Sequence, residues 1–226
     1  AHGRLEGERG EGLPLKPGIG SSPLHDIMYR IMGIDTFAVE WSERRDEVLS
    51  LYETIAASRR RLYPVIAASP ALMATYCGNL DPGVIGLSRF ESYYRPHLDE
   101  FAALMHEHGK LAGTQFDGGT WLFEEAIGLA QLDCVEHFTP APDGDLAVAQ
   151  ARTVWHDKAL WVTFPPTALH GSVDQVRETT LQLLREAASG VRFLLGVTEG
   201  LPADRWQPNL LAMMHTINDA GPLPLP

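Results

Sequence analysis

The sequence has little that would tie it to a membrane, a nucleic acid or a disulfide framework. Only two cysteines occur, Cys77 and Cys134, both inside apolar runs. Neither their number nor their spacing suits a zinc knuckle or a set of cross-links, so a reduced, cytoplasmic protein is expected. No apolar run reaches the roughly 18 residues of a membrane-crossing helix, so none is expected. The opening residues, Ala1 to Gly12, lack the apolar core of a signal peptide and begin without methionine. Clustered positive charge is also scarce. Net charge is −11 with nine histidines counted as neutral. Nucleic acids and anionic membranes are therefore disfavoured partners, since both demand grouped Lys and Arg. The single basic run, Arg59-Arg60-Arg61, is short, has acidic neighbours and reads as a solvated helix face. No glycine-rich phosphate loop of the Walker or dinucleotide type is present.

What the chain does have is regular alternation. With 226 residues and 45% hydrophobic content it can bury a sizeable core. Residues 1–21 read as a flexible leader and residues 22–226 as one domain. After a compact lead-in around Leu24, Ile27, Met28 and Ile31, a helical stripe spans residues 44–67. Strands are expected at 73–80, 110–116, 132–138, 159–164 and 191–197. Amphipathic helices fall between them, one opened by a capping box at Ser88–Glu91 and another by Ser172–Gln175. Asp204 is the expected cap of the last helix. Trp155, Trp161 and Trp206 read as packing helices on strands. Near-continuous apolar strands alternating with helices imply parallel βαβ units with both sheet faces covered. The expected fold is an α/β barrel of the TIM type, incomplete, because five strands fall short of eight. Unpaired edges then favour association with further copies of the chain, so a homo-oligomer is expected.

Each expected strand ends in polar side chains: Asn79 and Asp81, Gln115 and Asp117, Glu136 and His137, Thr163, then Thr198 and Glu199. Active sites of such barrels are built at the carboxyl ends of the strands. Asp117 could equally cap a helix. Asp81 and Asn79 could form a turn with Pro82-Gly83. Strict alternation sends His137 to the face opposite Glu136, where it is read as structural. His170, in the loop after the fourth strand, is the preferred acid–base histidine.

The segments Ile31-Met-Gly-Ile-Asp35, Gly78-Asn-Leu-Asp81, Ser88–Pro96, His106–Lys110, Gln115-Phe-Asp-Gly118, Asp133–Glu136, Gly196–Glu199 and Pro208–Met213 together resemble the uroporphyrinogen decarboxylase superfamily. That superfamily includes the zinc-dependent, corrinoid-linked methyltransferases. The resemblance spans roughly residues 22–221 and covers the last five strands of that family's barrel. It implies methyl transfer between a small methylated substrate and a corrinoid borne by a partner protein. The methyltransferases hold zinc with a His-x-Cys-Gly motif and a later Cys. Gln115, Asp117, and Thr198 or Glu199 stand at those positions here, so hard oxygen ligands replace soft sulfur.

A divalent metal, zinc among the candidates, would then fall to Asp117, Glu136 and Glu199, acting as a Lewis acid. Asp117, His170 and Asn79 are the candidate catalytic residues, and Asp81, Gln115, Thr163 and Thr198 the candidate substrate contacts. The second reading is decarboxylation of uroporphyrinogen, a polyacid that calls for several Arg or Lys where these strand ends are acidic. The third is a truncated barrel without catalysis, serving as a binding module.

Overall fold

The computed structural model describes residues 16–78, 80–197 and 201–225. Among the described residues six parallel strands alternate with helices, and their order follows the chain from β1 to β6. The fold is α/β, an incomplete barrel of the TIM type, short of the eight strands that closure requires. Among the described residues no helix is long and apolar enough to cross a membrane. The described chain divides into two compact units.

The first unit holds β1 (Gly18–Ser21), β2 (Met73–Cys77) and β3 (Leu111–Gln115). Its main helices are α1 (Ile34–Glu43), α2 (Arg45–Arg60), α3 (Tyr63–Ala67) and α4 (Arg95–Glu107). Val48, Tyr52 and Ala56 recur at four-residue intervals and bury one stripe of α2. The expected single helix over 44–67 is therefore two, because Pro64 takes the first turn of a new helix, where its missing N–H costs nothing. Pro96 likewise opens α4 after a π-helical turn at Phe90–Tyr94, and Gly109 stops it with φ of 66°. Tyr76 of β2 meets Phe101 edge-on at 5.2 Å and shares a hydroxyl–hydroxyl hydrogen bond with Tyr63. Tyr76 thus marks the helix-covered face, and alternation puts Thr75 and Cys77 on the other.

β1 lies inside the stretch expected to be leader, and it raises the strand count from five to six. Its sequence, Gly-Ile-Gly-Ser, has one buried apolar side chain, Ile19, and so carries no visible strand signal. Backbone pairing supplies the order instead, through Gly18 opposite Thr75 and Ser21 opposite Cys77. Glycine is needed there, since a Cβ on Gly18 would lie 2.7 Å from the Cys77 thiol. The helical stretch after β2 is also capped elsewhere than expected: Gly86, with φ of 73°, precedes it in place of Ser88.

The second unit holds β4 (Cys134–Phe138), β5 (Ala159–Thr163) and β6 (Phe193–Gly196). Its helices include α5 (Glu124–Leu129), α6 (Val148–Val154), α7 (Val173–Glu186) and α8 (Trp206–Ala220). Trp155 is fully buried, edge-on to Phe138 at 5.7 Å, and its indole N–H donates to the Glu124 carbonyl. The capping box of α7 forms as expected, with the Gln175 N–H on Ser172 Oγ at 3.3 Å and the Ser172 N–H on Gln175 Oε1 at 2.7 Å. Helix α8 differs: Arg205 occupies its N-cap position, and Asp204 pairs with that arginine at 2.9 Å.

The loop after β4 folds back so that the Gly144 N–H donates to the Pro140 carbonyl. A Cβ on Gly144 would collide with the Thr139 carbonyl, which is backbone and cannot swing aside. Gly144→Ala is therefore expected to cost about 2 kcal/mol of stability. Urea unfolding checks this, and an unchanged midpoint would show the turn to be tolerant.

Candidate active site

The site begins with a break in strand regularity. Along the β4–β5 pair, Val135 lies opposite Leu160, whereas Phe138 lies opposite Val162. Two residues, Glu136 and His137, therefore face one, Trp161, which is a β-bulge. His137 absorbs the extra residue with a left-handed backbone, φ 56°. The bulge cancels the alternation that would send Glu136 and His137 to opposite faces. The expectation that His137 points away from the Glu136 face is corrected accordingly: its ring lies 5.6 Å from that of Trp161, and Nδ1 is 3.3 Å from Asp117 Oδ1.

Asp117 is brought there by its own loop. The Phe116 N–H donates to the Glu136 carbonyl at 2.9 Å, which sets the chain beside β4. Further on, the Asp145 carboxylate accepts from the N–H of Thr120 at 2.7 Å and of Trp121 at 3.1 Å. Asp145 also fills the space that a side chain on Gly119 would need. The turn after Asp117 is thus tied at both ends, which limits how far its carboxylate can wander. Asp145 is a positioning residue that sequence reasoning missed, and nothing in the spacing would have revealed it. The Asp117 and His137 side chains are 27% and 20% exposed, sheltered yet reachable.

Trp161 and Thr163 complete the face. Leu160 and Val162 are buried, and the residues between and after them alternate to the opposite side. Trp161 therefore does not pack helices on strands as expected; its indole nitrogen occupies the space where Gly196 would carry a Cβ. The Thr163 hydroxyl is buried and makes no hydrogen bond within the described residues. An unsatisfied buried hydroxyl costs on the order of 1–3 kcal/mol. A ligand that pairs with it recovers that cost, which keeps Thr163 among the candidate contacts.

Glu136 is fully buried beside His137. Gln115, in the first unit, accepts the Gly78 N–H at 3.3 Å. Asp81 is exposed and accepts the Gly83 N–H at 2.7 Å, the turn with Pro82-Gly83 that the sequence allows. His170 is exposed at the end of a short helical turn, and its carbonyl accepts from Arg205. Asn79, Thr198 and Glu199 lie outside the described residues. Among the described residues no group of three His, Cys, Asp or Glu could hold a metal ion. The proposed trio Asp117, Glu136 and Glu199 has only its first two members there, and Asp117 instead pairs with an imidazole.

An imidazole held by a carboxylate at Nδ1 presents Nε2 for proton transfer, and the carboxylate stabilises the charged ring. The fold and this pair define the class: an α/β barrel-type protein with a carboxylate–imidazole pair at its strand ends. No family model and no curated protein matches the chain. Among solved structures it is similar to a methyltransferase from Methanosarcina mazei, with a TM-score of 0.70 and 13% identity. The match covers 95% of this chain and 62% of that one, so this chain spans less than two thirds of its length. At that identity the likeness shows the shared fold.

Proposed function

We propose that this chain transfers a methyl group from a small methylated compound to a corrinoid carried by a partner protein. The observation that carries the reading is the Asp117–His137 pair, set at the strand ends of a fold shared with a methyltransferase. Breaking a bond from methyl carbon to nitrogen, oxygen or sulfur leaves the electron pair on the departing heteroatom, which must then take up a proton. His137 supplies that proton from Nε2, and Asp117 steadies the imidazolium through Nδ1. Trp161 forms an apolar wall that suits a methyl group, and Thr163 offers a hydroxyl to the substrate's polar end. The corrinoid, when bound, supplies the electron pair that receives the methyl group. A divalent ion on Asp117, Glu136 and Glu199 would polarise the leaving heteroatom. Among the described residues no group of three such ligands could hold one, and the proton path through His137 does not depend on it.

The test is methylation of cob(I)alamin, followed by its absorbance, with methanol, trimethylamine and dimethyl sulfide offered as donors. Turnover above the uncatalysed rate with one of them supports the reading. No turnover with any donor, together with loss of carboxylates from uroporphyrinogen under the same conditions, overturns it in favour of decarboxylation. Inactivity in both assays overturns it in favour of a binding module.

A further inference from the structure

The first unit contains a cavity of about 350 Å³ that the proposed reaction does not use. Two arginines line it, Arg45 and Arg89, with Trp41, Tyr93 and the hydroxyl-bearing Ser88 and Ser92. No acidic residue is among its lining residues, although the chain as a whole carries a net charge of −11. Against that background a doubly cationic hollow is a local reversal of sign. Such a reversal concentrates anions rather than cations.

The arginines are fixed before any ligand arrives. Arg45 Nε donates to the Trp41 carbonyl at 3.4 Å, and Arg89 Nε donates to the Ile85 carbonyl at 2.6 Å. Both guanidiniums lie over the Trp41 ring, their central carbons 5.1 and 6.0 Å from its centroid. Trp41 is itself buried and held edge-on by Tyr93 at 5.3 Å. The ring face attracts each cation and helps to orient it. An anion that reaches both guanidiniums is drawn by both, and arginines already oriented lose little entropy in binding it.

We infer that this cavity binds a phosphate monoester whose organic part is flat and apolar. Guanidinium forks and serine hydroxyls together present more donors than a planar carboxylate can accept, whereas a phosphate's three terminal oxygens can use them. The volume exceeds what a bare phosphate needs. The surplus is bordered by Tyr93 and Leu87, which suits a ring. Gly86 borders the cavity with φ of 73°, which favours glycine and leaves no side chain in the way of the group.

The experiment is calorimetric titration of the full chain with phenyl phosphate, using benzoate and phenol as the carboxylate and uncharged comparators. Phenyl phosphate is expected to saturate with a Kd on the order of 0.1–1 mM at low salt. Benzoate should bind at least about tenfold more weakly, because it leaves donors unmatched. Arg45→Ala should weaken phenyl phosphate about tenfold while leaving the melting temperature and methyl transfer unchanged, since Arg45 is exposed and lies outside the proposed active site. Arg89→Lys keeps the charge and loses the fork, and should weaken binding as well. Absence of saturable heat up to about 10 mM phenyl phosphate overturns the inference. So does equal affinity for benzoate, or wild-type affinity in both Arg45→Ala and Ser92→Ala.

Discussion

Asp117→Asn should lower the rate of methyl transfer by roughly a hundredfold without unfolding the protein. An amide in place of the carboxylate cannot stabilise the charged imidazole, so less of the protein holds the proton that His137 must deliver. His137→Gln removes the proton donor outright and should fall to a similar rate. The double variant is the sharper measurement. Two residues that work as one unit lose their effect together, so combining the changes should cost little more than either alone. Multiplying losses would mean that the 3.3 Å approach of the two side chains is not functional. Full activity in both single variants would remove the dyad from the chemistry.

Acid should weaken the first unit through His97. Its side chain is buried, and Nε2 is 2.6 Å from the Tyr52 hydroxyl. Nδ1 has no hydrogen-bond partner among the described residues. Burial, reinforced by nearby Arg60 and opposed by Glu100, lowers the imidazole to about 4 from its ordinary 6.5. The folded state therefore keeps the ring neutral where the unfolded chain takes up a proton. Stability from this source is fully present above pH 6.5 and declines as pH falls toward 4, where the folded ring begins to charge. The expected loss across that window is about 3 kcal/mol. Below it no further loss arises from this residue. Urea midpoints of the wild type and His97→Gln, compared between pH 7 and 4, isolate the effect. Parallel slopes would show that His97 does not titrate in this way.

Strands β2 to β6 are legible in the sequence because each is an apolar run bounded by turn residues and long enough to cover both faces. The α7 cap is legible too, since Ser172 and Gln175 need only their own local backbone. Local grammar fails where a partner segment decides. Strand β1 has one apolar side chain to show and is ordered by pairing with β2. The start of the helical stretch after β2 shifts from Ser88 to Gly86, because glycine readily accepts the left-handed turn that the chain makes there. Asp117 could be selected from its place after a strand, yet its partner could not. His137 reaches it through a bulge that is visible only once β4 is set against β5.

The sequence by itself determined the class of fold and most of the run of strands and helices. These follow from hydrophobic periodicity and turn chemistry, which act over a few residues. Tertiary structure alone decided which acid meets an imidazole, that Asp145 secures the intervening loop, and that Arg45 and Arg89 converge on Trp41. Register and packing depend on residues far apart along the chain. One inserted residue in a strand re-aims every side chain beyond it, and no local pattern records where that insertion falls.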